Sequence, residues 1–237
     1  MSKQSILVIP DTHIPAEHPD ALDFLCAVKR SYRTNMTLHV GDVVDWHAIS
    51  YHESDPDLPS SGDELSLVQQ RMQQWGRAFR DVVVTAGNHD KLPQRKLTSL
   101  GLPKAFLRHY NDILGTPKSW LWMPRYHEFR LRCGMPVVMQ HRLSPSLEAG
   151  KNKLRTASLI SGHCHSAAGT AWNTAPDWRL FYLAVGCLVD PTHPAMAYAD
   201  EGVLKLPALG CGLIVDGYAT HIPMWLNEDG RWNGKVP

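Results

Sequence analysis

Five short apolar stretches of this chain each run directly into residues that bind metal ions. Ile6–Pro10 leads to Asp11-Thr-His13, and Met36–Val40 leads to Gly41-Asp42-Val-Val-Asp45. Asp81–Ala86 leads to Gly87-Asn88-His89-Asp90, Pro136–Gln140 to His141, and Ala157–Ile160 to Ser-Gly162-His163-Cys-His165. Ile6–Pro10 is continuous rather than alternating in hydrophobicity, which is the pattern of a strand buried on both faces of a sheet. In an open α/β sheet the carboxyl ends of such strands share one edge, and polar groups converge there. This pattern restricts the fold to a layered α/β sheet structure with one crowded edge.

Helical spacing fills the gaps between the early strands. Pro19 to Arg30 carries Ala21, Leu22, Leu25 and Val28 on one stripe, and Asp63 to Phe79 carries Leu65, Val68, Met72, Trp75 and Phe79. Residues 51–62 are polar and turn-rich and read as a surface loop. Arg179–Val185 is a further strand, and Leu213–Asp216 with Thr220–Leu226 form a hairpin turning at Asp216-Gly217. Strands concentrated in the C-terminal half suggest a second sheet. Residues 1–237 read as one domain.

Charge is uneven along the chain. Residues 91–133 hold nine Lys and Arg against Asp112 and Glu128, a formal +7, in a chain whose total is +1. The remainder is therefore acidic, and whole-chain charge gives no argument for a nucleic-acid partner. With Trp120, Trp122 and several turn formers, this segment reads as a basic insertion or cap beside the site rather than as part of the central sheet. Five cysteines, with no paired CxxC spacing, argue against a disulfide framework, and no run of 18 apolar residues marks a membrane span. A reducing, cytoplasmic setting without membrane attachment is expected; oligomeric state is not encoded in these patterns.

The chemistry of the five pieces is specific. Asp11 and His13 lie two residues apart after a strand, so extended backbone sends both side chains to one side, and His163 and His165 repeat the arrangement. Asp42 is a carboxylate able to bridge two cations, and Asn88 is a neutral oxygen ligand. Carboxylates mixed with imidazoles suit Mn, Fe, Zn or Co better than Mg. Two such ions clamp a phosphate, and the leaving oxygen then needs an acid, for which His89 is the candidate. Asp45 is the carboxylate expected to orient His89. Asp90 is expected to hydrogen-bond neighbouring backbone, His39 to be a satisfied core histidine, and His47 and His52 to be loop residues near the pocket.

In these residues the sequence resembles the calcineurin-like metallophosphoesterase superfamily, whose pattern is D-x-H, GDxxD, GNH followed by D or E, a lone histidine, and GHxH. The resemblance spans residues 11–165. It implies a four-layer α/β/β/α sandwich, two mixed sheets face to face with helices outside. It also implies one metal ion on Asp11, His13, Asp42 and His165, and a second on Asp42, Asn88, His141 and His163. His89, paired with Asp45, would act at the leaving group. Mn²⁺ is the cofactor implied for both sites, with Fe, Zn, Ni or Co as alternatives.

The phosphoprotein phosphatases of that superfamily carry GDxxDRG, whereas here Trp46 stands in place of the arginine. Losing a fixed bidentate donor matters most to a phosphomonoester dianion. The expected activity is therefore phosphodiester hydrolysis on a nucleotide, DNA or RNA by attack of a metal-bridging hydroxide. The alternatives are a phosphomonoesterase acting on nucleotides or small metabolites and, third, a non-catalytic binding module. Trp46, Arg95, Lys96 and Arg108 are the candidate substrate contacts.

Overall fold

The computed structural model describes residues 3–51, 55–175, 178–195 and 206–237. Its first sheet starts from β1 (Ser5–Ile9), whose side chains are buried on both faces. Ile6 and Val8 point towards a second sheet, among Leu38, Val40, Val137, Met139, Ile160 and Leu183. Leu7 and Ile9 point the other way, among Phe24, Leu25, Val28, Val68 and Met72. That two-sided burial is the physical reason for the unbroken apolar run. Each such aliphatic side chain contributes about 1.5–3 kcal/mol when fully buried.

Helix α1 (Ala21–Tyr32) presents Ala21, Phe24, Leu25 and Val28 to this sheet and stops at Arg33, whose backbone is left-handed at φ 50°. Helix α2 (Ser61–Ala78) begins two residues earlier than its apolar spacing indicates, because Ser60 caps it by accepting the Asp63 N–H. It buries Val68, Met72 and Trp75. Strands β2 (Met36–His39) and β3 (Val82–Thr85) continue the sheet in parallel from β1. Short helices α3 (Leu92–Ser99) and α4 (Tyr110–Leu114) then lead to β4 (Trp120–Met123), which is parallel to β3.

The second sheet contains β5 (His127–Arg130), β6 (Pro136–Met139), β7 (Ser158–Ser161), β8 (Ala168–Ala175) and β9 (Trp178–Val185), in the order β5-β6-β7-β9-β8. Helix α5 (Leu147–Lys151) covers its outer face, where Leu147 packs by Leu154, Leu180 and Tyr182. The result is an α/β sandwich of two mixed sheets flanked by helices, the metallophosphoesterase fold. The terminal hairpin, β10 (Gly210–Val215) and β11 (Tyr218–Pro223), turns at Asp216 and Gly217, both with positive φ as a tight hairpin turn requires. Among the described residues, no helix is long and apolar enough to cross a membrane.

Two expectations need correction. The hairpin does not extend the second sheet: β10 runs antiparallel to β1 and completes the first sheet, in the order β11-β10-β1-β2-β3-β4. Nor is 91–133 an insertion outside the sheets along its whole length. Its second half supplies an edge strand to each sheet, β4 to the first and β5 to the second. Trp120 is buried, and its indole N–H donates to the Phe79 carbonyl at 2.8 Å. Alternation of Phe129 and Leu131 with Arg130 and Arg132 marks a strand with one wet face, and its place is a sheet edge.

Candidate metal centre

All five ligand loops leave the carboxyl ends of their strands. Asp11 and His13 follow β1, Asp42 and Asp45 follow β2, Asn88, His89 and Asp90 follow β3, His141 follows β6, and His163 and His165 follow β7. Main-chain bonds lock the first two loops together: the N–H groups of Thr12 and His13 both donate to the Asp42 carbonyl, at 3.1 and 3.0 Å. Asp90 joins the second loop to the third. Its buried carboxylate accepts N–H groups from Asp42 and Gly87, each at 2.8 Å, and from Val43 at 3.0 Å. This is the backbone-bonding role expected of it.

The loops pay for this convergence in conformation. His13, Asp42, Trp46 and His163 all have left-handed backbone, φ 49°, 50°, 54° and 68°. Two glycines let carboxylates approach: a Cβ at Gly87 would sit 2.0 Å from Asp42 Oδ1, and one at Gly162 would sit 2.2 Å from Asp11 Oδ1. These glycines of the sequence pattern are therefore steric requirements of the ligand cluster.

Three sets of ligand atoms come together, each within 4.8 Å: Asp11, His13 and His165; Asp42, His141 and His163; and His13, Asp42 and His89. Asp42 lies between the first two sets, with Oδ2 3.1 Å from His141 Nε2 and 3.7 Å from His13 Nε2. Asn88 Oδ1 is 3.0 Å from His141 Nε2, on the second set. Asp11 Oδ1 and His13 Nε2 are buried without a hydrogen-bond partner. Buried polar atoms are normally satisfied, so these two orphans, one acidic and one imidazole, fit a cation placed between them. The clusters are consistent with divalent metal cofactors, and they would hold them through Asp11, His13, Asp42 and His165 on one side and Asp42, Asn88, His141 and His163 on the other.

The electrostatics fit the same reading. Burial opposes ionisation of Asp42, but the charges of His141, His13 and His89 outweigh it and hold its carboxyl well below the ordinary range. Asp11 is likewise held low against its burial, by His141 and His165. For His141 burial works against the charged ring, yet Asp42 and Asp11 raise it to about 9. The carboxylates are thus ionised, with the neighbouring imidazoles carrying the balancing positive charge.

Asp45 and His89 meet differently from the expected pair. The Asp45 carboxylate sits 2.7 Å from His13 Nδ1, while His89 Nδ1 is 2.6 Å from the Asp45 main-chain carbonyl and 3.4 Å from its carboxylate. A carbonyl only accepts, so it assigns the Nδ1 proton of His89 and leaves Nε2 to face outward. The carboxylate's main duty is to orient His13.

The candidate substrate contacts are scattered. Trp46 is 7% exposed and packs within the helix-side core. Arg95 and Lys96 lie over the Tyr51 ring at 4.7 and 4.1 Å, and Lys96 Nζ donates to the Ser50 carbonyl. Arg108 is exposed at a cavity of about 340 Å³ shared with Trp46 and Tyr110. His39 is a core histidine, with Nδ1 accepting the Gly41 N–H at 3.1 Å and burial lowering its pKa to about 3. His47 Nε2 accepts the Asp55 N–H at 3.0 Å, and His52 lies outside the described residues. Sequence reasoning overlooked Arg142. His163 is held below its ordinary value by burial first, then by His141, with the Arg142 charge contributing against Asp11 and Asp42. Its place directly after the lone histidine was the available signal.

A two-sheet α/β sandwich with paired imidazole–carboxylate clusters on its strand ends points to a metal-dependent hydrolase, with metal-binding sites compatible with a phosphoesterase. Residues 4–166 match the calcineurin-like phosphoesterase family, and the chain belongs to that family. No curated protein sequence matches it. Among solved structures, Yfce, a phosphoesterase from E. coli, is similar at 12% identity over 97% of each chain, with a TM-score of 0.50. Vacuolar Protein Sorting 29 from Cryptosporidium parvum is 14% identical over 99% of this chain and 95% of its own, with a TM-score of 0.49. At such identities the likeness concerns the fold alone.

Proposed function

We propose that this protein is a metal-dependent phosphodiesterase or nuclease acting on a nucleotide or nucleic-acid phosphodiester. The observation that carries the diester reading is Trp46. Where a phosphatase arginine would hold a dianion, this chain places a left-handed, core-packed tryptophan. A diester carries one charge fewer and has less need of that donor.

Two divalent ions, Mn²⁺ in our reading with Fe, Zn, Ni or Co as alternatives, supply Lewis acidity and an acidified water when bound. The chain's own residues position and exchange protons. Asp45 fixes the His13 ring through Nδ1, as a second carboxylate behind a ligand does. His89 donates Nδ1–H to the Asp45 carbonyl, which leaves Nε2 as the ring atom that would meet an ester. Burial disfavours the charged His89 ring, but Asp42 and Asp45 outweigh it and raise its pKa. The charged ring carries a proton on Nε2 that can pass to the departing oxygen.

A phosphomonoesterase is the second reading, and Arg142 favours it, since an exposed guanidinium near His163 can take the extra phosphoryl charge. We also place the enzyme in the cytoplasm, in keeping with five cysteines that show no paired CxxC spacing. The test is a panel with Mn²⁺: single- and double-stranded DNA, RNA, cyclic nucleotides, nucleoside monophosphates, and bis-p-nitrophenyl phosphate beside its monoester. Diesters should turn over faster than monoesters. Preference for the monoesters would establish the second reading, and no turnover with any divalent ion would defeat both.

A further inference from the structure

The basic segment meets the metal-bearing loops at one cavity, of about 340 Å³. Trp46 and Asp90 line it from the loops, and Lys104, Arg108, His109 and Tyr110 line it from the segment. Trp46 directly follows Asp45, and Asp90 directly follows His89. The cavity therefore begins one residue along the chain from each of those site groups. Its volume is within the usual range for a bound group.

The polar groups of this cavity are donors that lack acceptors. Lys104 and Arg108 are exposed, and among the described residues neither side chain makes a hydrogen bond or an ion pair. Arg95 and Lys96 differ, since both lie on the Tyr51 ring. Tyr110 stacks on Trp122 at 4.2 Å, and its hydroxyl meets no acceptor among the described residues. Burial first, and then the Asp90 charge, push that phenol upward, so it stays an O–H donor. His109 Nδ1 accepts the Asn111 N–H at 3.3 Å, which leaves the ring proton on Nε2. Among the described residues Asp90 is the one carboxylate lining the cavity. It is 1% exposed and turned to the N–H groups of Asp42, Val43 and Gly87. Two positive charges with two further donors describe an anion site, and guanidinium and ammonium groups are the ones that recognise phosphate.

We propose that this cavity receives a second phosphate of the substrate, the one next to the phosphodiester that is cleaved. Lys104, Arg108 and the Tyr110 hydroxyl hold it, and it sets the position of the backbone on the metal loops, as phosphate contacts do elsewhere. This rests on the diesterase reading for its link to hydrolysis. It narrows the substrate to an oligonucleotide and turns away from a cyclic mononucleotide, which has a single phosphate.

The test compares the thymidine dinucleotide TpT with its 5′-phosphorylated and 3′-phosphorylated forms on the full chain with Mn²⁺, by calorimetric affinity and by kcat/KM. Wild-type protein should favour one phosphorylated form over TpT about tenfold or more. Lys104→Ala combined with Arg108→Ala should reduce that ratio to about twofold or less, with the melting temperature kept because both side chains are exposed and unbonded. Tyr110→Phe preserves the ring stack and deletes only the hydroxyl, and should lower the ratio several-fold. Arg130→Ala combined with Arg132→Ala removes the same charge outside the cavity and should preserve it. The cavity assignment is overturned if wild-type protein shows no preference, if the cavity variants keep it, or if the Arg130 and Arg132 variant loses it equally, the mark of a diffuse field. Preferential binding of a phosphorylated form without hydrolysis of any ester would refute the diesterase reading alone. Hydrolysis of TpT and bis-p-nitrophenyl phosphate with no such preference would refute the cavity alone.

Discussion

Two parts of this molecule are rich in charged side chains, and they use them in opposite ways. On the strand-end loops several of the carboxylates and imidazoles are held by backbone or by a neighbouring side chain. Asp90 accepts main-chain N–H groups from two loops, Asp45 holds His13, and glycines clear space for Asp11 and Asp42. In residues 91–133 the cations have looser and more ordinary occupations. Arg95 and Lys96 rest on a tyrosine, Arg130 donates to the Gly134 carbonyl, and the segment itself divides between two sheets. Charge density in a sequence therefore says little about a site until the backbone around it is known to be over-determined.

The contrast is greatest at Asp42, whose Oδ2 lies 3.1 Å from His141 and 3.7 Å from His13, one residue of each ligand set. Asp42→Ala should remove bound metal and turnover together, measured by elemental analysis and bis-p-nitrophenyl phosphate hydrolysis. Retained stoichiometry would mean the sets are independent. Next in size is His89→Gln, expected to lower turnover about 10²–10⁴-fold while leaving metal content unchanged. If it empties the site instead, the third cluster, with His13 and Asp42, is itself a ligand set.

Asp45→Asn should weaken metal binding by about 10–100-fold, the usual effect of losing a carboxylate behind a histidine ligand. Because His89 leans on the Asp45 main chain, the rate per bound metal should change far less than the affinity. A chelator competition followed by single-turnover rates separates the two. The smallest effect belongs to the basic segment: Arg95→Ala and Lys96→Ala should each cost about 0.5–1 kcal/mol of stability through the Tyr51 contact. The rate on a small diester should hold. A large rate loss would show that these cations reach substrate and would erase the contrast between the regions.

Much of this was legible in the chain. Ile6 to Ile9 announces a two-sided strand because the run is short, aliphatic and rich in β-branched residues, and the residues after it fall on the sheet's carboxyl edge. The glycines at 87 and 162 mark where carboxylates press against backbone. What stayed hidden depends on partners distant in sequence. Nothing in Trp120–Met123 or His127–Arg130 reveals which sheet it borders, since an edge strand shows only half the hydrophobic pattern. The terminal hairpin was readable as a hairpin, but its pairing with β1 lies across some 200 residues of sequence. Asp45's preference for His13 over His89 is the difference between 2.7 and 3.4 Å, and spacing does not encode that.

In the proposed function two ligand sets, sharing Asp42, would hold two ions for hydrolysis of a phosphate diester. The most direct measurement titrates metal-free protein with Mn²⁺ while counting bound ions and following bis-p-nitrophenyl phosphate turnover. The account predicts two ions per chain, with turnover developing fully only as the second binds. A single ion at saturation, or two bound ions with no turnover, would contradict it.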